Sequence, residues 1–338
     1  RGLRTDRAGD WGRALSCGLR RHRGRPNVGK STLLNRLLGQ KLAATTHKPQ
    51  TTRQNLLGVL NPQDAQIGFL DTPGHHRAKG PLNRFMVAQA EEALERADLV
   101  AYVVEARPHG AITPGNVRII AALRRVQKPV VLLVNKTDLV KEKEKLLLQL
   151  KAYSDELGEL LRAVVPISAR KSAGLERAVQ EIGRALPEGE RFFDTEMVTD
   201  ATERSISSEM IREKLILELQ DELPYAAAVT VESFEDQRPR LVRIGATIHV
   251  ERQSQKGIVV GKAGERLRSI GIRARHDLEY FLGSKVYLDL VVRVNRDWTS
   301  NPARLQNLGY GRDEDQDLSI GRDLLEALAV EEDDNDDD

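Results

Sequence analysis

Gly24-Arg25-Pro26-Asn27-Val28-Gly29-Lys30-Ser31 decides the fold, because this stretch matches the phosphate-binding pattern G-x-x-x-x-G-K-[ST]. In such a loop, backbone N–H groups surround phosphate oxygens, the Lys30 ammonium reaches the β- and γ-phosphates, and the Ser31 hydroxyl holds Mg2+. The loop opens a helix whose positive N-terminal end favours the anion. An ordinary glycine-rich turn is the alternative, and the motifs that follow weaken it. The stretch therefore predicts a nucleotide-phosphate site.

Short apolar runs alternate with helix-like stretches between this loop and residue 186. The predicted buried strands are 67–70, 99–104, 130–134 and 164–167. The predicted helices are 32–38, 82–96, 115–126, 142–161 and 175–186. This alternation predicts an α/β fold with a doubly wound, mostly parallel sheet. Ligands of such sheets bind at the carboxyl ends of the strands, where the motifs described next are placed.

The sequence Asp71-Thr72-Pro73-Gly74 follows the first of these strands directly. At that place an aspartate can accept a hydrogen bond from Mg2+-bound water, and the Gly74 amide can meet the γ-phosphate. A plain β-turn is the alternative. The threonine-rich stretch 47–55 lies between this motif and the phosphate loop, as a loop that orders around Mg2+ and γ-phosphate would. Thr52 is the predicted second metal-bound hydroxyl, and Thr51 remains an alternative.

Asn135-Lys136-Thr137-Asp138 follows the strand at 130–134 and identifies the base. The Asp138 carboxylate can accept both N1–H and the exocyclic amine of guanine, whereas adenine would leave it unpaired. Ser168-Ala169, after the next strand, would place a backbone N–H near the guanine carbonyl. These residues predict a preference for guanine over adenine.

Two residues are candidates for assisting hydrolysis. His75 stands where a water-orienting glutamine is usual, and it could position the attacking water or be a solvated loop residue. Asn27 could help hold a monovalent cation such as K+, or be a plain loop asparagine.

A second module follows a break near Pro187-Glu188-Gly189-Glu190, with the predicted order α-β-β-α-α-β. Residues 238–304 hold fourteen lysines and arginines against six acidic residues, which favours a polyanionic partner. A G-x-x-G loop joins two predicted helices in this module, and such a loop lets a nucleic-acid backbone approach closely. An ordinary helix–helix turn is the alternative. The predicted RNA-binding residues are Gly261, Lys262, Ala263, Gly264, Arg266 and Arg268.

Composition limits the remaining possibilities. A chain of 338 residues with 40% apolar residues is long enough for two domains. No apolar run approaches the length of a membrane helix, and no signal-peptide core is present, which favours a cytoplasmic protein. The one cysteine, Cys17, excludes an internal disulfide framework and a cysteine-cluster metal site. The acidic end, 311–338, is predicted to be disordered.

Taken together, these motifs resemble the Era family of GTPases over residues 24–310. The resemblance rests on the stretches 24–31, 49–53 (Pro-Gln-Thr-Thr-Arg), 71–74, 135–138, 202–225 and 261–264. It implies a Ras-like G domain at 24–186, a linker at 187–200 and a type II KH domain at 201–310. It also implies slow, Mg2+-dependent hydrolysis of GTP to GDP and phosphate by a monomer. The implied partners are the 3′ end of small-subunit rRNA, the small ribosomal subunit under assembly and, peripherally, the inner membrane.

Residues 1–23 depart from this family. An apolar strand is expected directly before Gly24, but Arg20, Arg21 and Arg23 stand there. A central strand is buried on both faces, and burial of three arginines would cost a large free energy. The stretch is therefore predicted to be an arginine-rich leader, from a misread start or a shifted frame, with a transit peptide as the alternative. Two functions follow: an active GTPase that times RNA binding, or a KH-type RNA-binding protein whose G domain is impaired by loss of its first strand.

Overall fold

The computed structural model contains two sheets with helices packed on them. It describes residues 13–17, 28–48, 51–53, 55–63, 65–72, 81–86, 88, 97–107, 112–220 and 223–310. The first sheet has six strands and the second has three. The order of elements confirms the predicted architecture, an α/β domain followed by a smaller α+β domain.

The first sheet carries the motifs of the nucleotide site. Its strands are β1 (Arg13–Cys17), β2 (Leu56–Leu60), β3 (Ile67–Asp71), β4 (Leu99–Glu105), β5 (Val130–Asn135) and β6 (Leu161–Pro166), in the spatial order β2-β3-β1-β4-β5-β6. All neighbours are parallel except β2 and β3. Helices in this domain are α1 (Lys30–Leu38), residues 81–86, α2 (Pro114–Val126), α3 (Leu146–Leu157) and α4 (Leu175–Ala185). Strands β4 and β5 are almost fully buried, which explains their continuous apolar sequence.

The expectation that the first strand is lost is wrong. Strand β1 lies in the middle of the sheet, where Leu15 pairs with Phe69 on one side and with Leu99 on the other. The prediction considered only the arginine-rich residues immediately before Gly24, whereas the strand lies further upstream and carries no charge after its first residue. Residues 18–23 lie outside the described part of the chain. The sheet therefore begins before the predicted domain boundary at residue 24.

The second domain is built on a three-stranded sheet. Its elements are α5 (Glu203–Glu218), β7 (Ala228–Gln237), β8 (Leu241–Val250), α6 (Gln253–Val260), α7 (Glu265–Leu282), β9 (Val286–Val294) and α8 (Pro302–Asn307). Strand β8 pairs antiparallel with β7 and parallel with β9. Helix α5 begins with the Thr202 hydroxyl accepting a hydrogen bond from the Ser205 amide. This is the predicted order α-β-β-α-α-β.

The segment between the domains packs along the free edge of β2. The Val59 amide donates to the Val198 carbonyl at 2.8 Å, and the Thr199 hydroxyl donates to the Leu57 carbonyl at 2.7 Å. Further along, the Gln66 side chain donates to the Phe193 carbonyl at 2.8 Å. The bonds to Val59 and Leu57 cover an edge of the sheet that would otherwise expose backbone donors and acceptors.

Candidate functional site: a nucleotide site and a nucleic-acid groove

The end of the phosphate loop has the backbone shape that the pattern requires. Gly29 has a φ of +91°, and a Cβ there would lie 2.5 Å from the Asn135 side-chain nitrogen. Glycine is therefore required both for the left-handed backbone and for the close approach. Residues 24–27, including the predicted Asn27, lie outside the described part of the chain.

Three oxygen-bearing side chains meet at the start of α1. The Ser31 hydroxyl donates to Asp71 Oδ2 at 3.0 Å, the Thr52 hydroxyl donates to the same oxygen at 3.2 Å, and the two hydroxyl oxygens are 3.3 Å apart. Asp71 is only 2% exposed, and its other carboxylate oxygen, Oδ1, is buried without a hydrogen-bond partner. Hard oxygen ligands and an unsatisfied carboxylate oxygen fit a Mg2+ ion.

The charge on Asp71 depends on opposing influences. Burial raises the pKa of the Asp71 carboxyl above its usual value, because its effect outweighs the Lys30 ammonium and the Ser31 and Thr52 hydroxyls, which lower the pKa. The Lys30 ammonium also donates to the Thr72 carbonyl at 3.2 Å, which holds it over the end of β3. A cation beside Asp71 would favour the ionised carboxylate that Mg2+ requires.

The two candidate threonines differ in their surroundings. The Thr52 hydroxyl lies in the oxygen cluster, whereas the Thr51 hydroxyl donates to the Lys48 carbonyl at 2.9 Å and lies 2.7 Å from the Thr46 hydroxyl. The structure thus brings Thr52, not Thr51, to Ser31 and Asp71. The predicted Pro73, Gly74 and His75 lie outside the described residues.

The residues predicted to recognise the base lie at the ends of β5 and β6. The Ser168 hydroxyl donates to Asp138 Oδ1 at 2.6 Å, and this bond is the main cause that lowers the pKa of Asp138. Lys136 adopts a left-handed backbone (φ +66°) and pairs with Glu105 at 3.0 Å. Asp138 is therefore held as a carboxylate in the form that guanine recognition needs.

Asn135 joins the phosphate loop to both segments predicted to hold the base, 135–138 and 168–169. Its side-chain nitrogen donates to the Val28 carbonyl at 2.6 Å, and its oxygen accepts from the amides of Lys136 and Ala169 at 2.8 and 2.9 Å. The sequence placed Asn135 at the base but did not show this bridging role. The only available signal was the position of the motif at the carboxyl end of a buried strand.

In the second domain, the G-x-x-G loop joins α6 to α7 as predicted. Gly261 and Gly264 have φ values of +75° and +80°, and a Cβ on Gly261 would lie 2.8 Å from the Cβ of Arg266. Lys262 and Ala263 are exposed at the tip of the loop. Arg266 is predicted to bind RNA. In the structure its guanidinium donates to the Ile258 carbonyl at 2.5 Å and thereby caps the end of α6.

An open groove of about 400 Å³ runs beside this loop, between α7 and β9. Apolar floor residues and basic residues line it together: Leu267, Arg268, Ile272, Arg275, Tyr287 and Leu290. Ile272 and Tyr287 are 51% and 56% exposed, and the Arg243 guanidinium lies 5.5 Å from the centre of the Tyr287 ring. Apolar surface for bases beside basic side chains for phosphates suits single-stranded nucleic acid. Among the residues that line the groove, the sequence predicts Gly264 and Arg268 and does not predict Ile272, Arg275 or Tyr287.

Comparison with known proteins agrees with this architecture. Residues 23–136 match the family model described as a 50S ribosome-binding GTPase, and residues 222–299 match the model of the KH domain. The fold and the site therefore define a P-loop GTPase domain followed by a KH domain.

Curated relatives named GTPase Era narrow this class. The relative from Syntrophus aciditrophicus is 47% identical over 290 residues, covering 85% of this chain and 92% of its own length. The relative from Geotalea uraniireducens is 46% identical, covering 85% and 95%. The chain belongs to the Era family of GTPases.

Solved structures give the same result at the level of the fold. An Aquifex aeolicus Era variant bound to GDP and AlF4− superposes with a TM-score of 0.80 and 38% identity, covering 88% of this chain and 98% of that one. A structure of Era in complex with MgGDPNP and nucleotides 1506–1542 of 16S ribosomal RNA has the same TM-score and 37% identity over the same coverage. Within the described residues, no helix is long and apolar enough to span a bilayer.

Proposed function

We propose that this GTPase binds GTP with Mg2+ at the Ser31, Thr52 and Asp71 cluster and hydrolyses it to GDP and phosphate. The observation that carries this proposal is the convergence of the Ser31 and Thr52 hydroxyls on Asp71 Oδ2, while the second carboxylate oxygen, Oδ1, is buried without a hydrogen-bond partner. When bound, Mg2+ supplies positive charge that stabilises the phosphate oxygens during transfer. Lys30 adds the second positive charge beside them.

The proposed roles of the remaining residues follow from position. The loop 24–31 holds the phosphates, and the Gly74 amide binds the γ-phosphate. Asp138 holds guanine together with Lys136, Ser168 and Ala169. Asn135 holds the phosphate loop and the base pocket at a fixed position relative to each other through its bonds to Val28 and Ala169. His75 positions the attacking water, and Asn27 helps hold K+. Charge stabilisation by fixed groups provides most of the catalysis in such sites.

The KH domain is proposed to bind the 3′ end of small-subunit rRNA during assembly of the small ribosomal subunit. Support comes from the similar Era structure that holds nucleotides 1506–1542 of 16S rRNA and from the basic, partly apolar groove beside the G-x-x-G loop. We assign the G domain up to residue 186, the linker to 187–200 and the KH domain to 201–310. We also propose a cytoplasmic monomer that contacts the inner membrane peripherally.

Two measurements test these assignments. Purified protein should release phosphate from GTP, but not from ATP, in the presence of Mg2+, and EDTA should stop the release. Crosslinking of bound RNA in cells, followed by sequencing, should recover the 3′ end of small-subunit rRNA. Phosphate release that is independent of Mg2+ would contradict the first assignment, and recovery of unrelated RNAs would contradict the second.

A further inference from the structure

The KH domain holds the chain on both sides of Thr52. On one side, the buried Arg212 of α5 donates from Nη2 to the Thr51 carbonyl. On the other side, the Arg53 guanidinium donates to the carbonyls of Ala227 and Pro224 at 2.9 and 3.2 Å. The proposed metal ligand is thus the middle residue of a tripeptide that the other domain fixes at both ends.

Arg53 lies in an aromatic cage. It is 1% exposed, and its guanidinium carbon lies 5.7 Å from the centre of the Trp298 ring and 5.4 Å from that of Tyr310. The two rings stack on each other at 5.8 Å, and the Trp298 N–H donates to the Ala226 carbonyl at 3.1 Å. Cation–π attraction is strongest where water is excluded, as it is here. The two carbonyl bonds and the two rings therefore anchor Arg53 to the KH domain.

Arg212 is oriented before it meets the loop. Its Nε and Nη2 donate to the two carboxylate oxygens of Glu209 at 2.7 and 2.6 Å, which fixes the plane of the guanidinium. Glu209 and Arg212 are both on α5, one turn apart. The rigid helix therefore presents a fixed donor to the Thr51 carbonyl.

We propose that Arg212 is a positioning residue for GTP hydrolysis: together with the Arg53 cage, it holds Thr52 where its hydroxyl can bind Mg2+. The KH domain thereby completes the metal site of the G domain. This inference rests on the proposed function, in which Thr52 is a metal ligand. GDP binding through the phosphate loop and Asp138 does not depend on Thr52, so the effect is confined to the triphosphate and Mg2+.

The test is Arg212→Met in the full chain, because methionine keeps an unbranched buried side chain and removes the donor. The concentration of Mg2+ that gives half-maximal GTP hydrolysis should rise about tenfold, as expected for loss of one hydrogen bond from a charged donor. The affinity for GDP should stay unchanged. Arg212→Lys should recover part of the shift, since lysine can still donate to a carbonyl.

Thr199→Val is the matched control. It removes a bond that holds the linker to the first domain, at the Leu57 carbonyl, and this bond does not involve the tripeptide 51–53. It should leave the Mg2+ requirement as in the unmodified protein. Arg53→Met removes the anchor on the other side of Thr52 and should raise the Mg2+ requirement as Arg212→Met does, which provides an answer if Arg212→Met does not fold.

The outcomes distinguish failure of the proposed function from failure of the positioning role. If the unmodified protein shows no Mg2+-dependent GTP hydrolysis, the proposed function fails. If it hydrolyses GTP but folded Arg212→Met or Arg53→Met needs no more Mg2+ than it does, the positioning role is wrong. An equal loss of GDP affinity would also overturn the proposal, because it would indicate general damage to the G domain.

Discussion

The nucleotide site and the groove between α7 and β9 in the KH domain (the KH groove) differ in how far their residues are buried. In the nucleotide site, Asp71 and Asn135 are each 2% exposed and bonded to motifs far away in sequence. In the KH groove, Ile272 and Tyr287 are about half exposed, and the basic residues around them project into solvent. A closed site with fixed bonds discriminates strongly, because a wrong ligand leaves buried groups unpaired. An open groove spreads its affinity over many weaker contacts.

The largest loss of ligand affinity is expected in the nucleotide site, for substitution of Asp138. Asp138→Asn replaces an acceptor by a side chain that also donates, so it reverses the hydrogen-bond demand at the base. GTP affinity should fall by about a hundredfold or more, and xanthosine triphosphate should become the preferred nucleotide. The measurement is competition between the two nucleotides, with Asp155→Asn on the exposed face of α3 as the control. Unchanged selectivity would contradict the guanine assignment.

Two threonine substitutions test which hydroxyl belongs to the metal site. Thr52→Val removes a hydroxyl from the oxygen cluster, whereas Thr51→Val removes one that bonds only within its own loop. Hydrolysis should fall by about a hundredfold in Thr52→Val, at the lower end of the range for loss of one stabilising group in an active site, and much less in Thr51→Val. Single-turnover rates at saturating GTP measure this. Equal losses in both variants would remove the distinction between the threonines.

In the groove beside the G-x-x-G loop, a large loss of RNA affinity requires a change of charge, because many weak contacts share the binding. Lys262→Asp with Ala263→Asp places negative charge where the RNA backbone must pass, so RNA affinity should fall by about tenfold or more. GTP hydrolysis without RNA should stay normal. Arg177→Asp with Gln180→Asp, on the exposed face of α4, makes the same change in net charge and should retain RNA binding. Binding of an rRNA 3′-end oligonucleotide at two salt concentrations measures both, and retained affinity in the loop variant would show that the loop is not the clamp.

The closed site could be predicted from sequence far better than the open one. Its motifs are short and chemically specific, and parallel strands bring their carboxyl ends to one edge. The groove residues Ile272, Arg275 and Tyr287 carry no such local signal, because exposure of an apolar side chain is decided by how α7 and β9 pack. The same limit applies to the bonds of Arg53 and Arg212, which join residues more than a hundred positions apart.

Two errors in the first domain have local causes. The sequence pattern does not predict strand β2, because Gly58 interrupts its apolar run. The structure explains the glycine: a Cβ at this position would lie 2.5 Å from a methyl carbon of Leu38. The helix predicted over 142–161 ends at Leu157, and the remaining apolar residues begin β6 at Leu161. Gly158 separates them with a positive φ of +52°. Gly158 thus marks a boundary between two elements, whereas Gly58 lies inside a strand.

The smallest expected effect concerns Asn27 in the phosphate loop. If its side chain helps hold a monovalent cation, hydrolysis should be a few times faster in KCl than in NaCl at the same ionic strength. The difference is small because exchanging one monovalent ion for another keeps the charge near the phosphates and changes only the fit of the ion. Asn27→Ala should give equal rates in both salts, while Asn55→Ala, outside the phosphate loop, should keep the difference. RNA affinity should fall by the same amount in either salt as ionic strength rises, because the open groove responds to screening and not to the identity of the cation. A KCl advantage that survives Asn27→Ala would make Asn27 an ordinary loop residue.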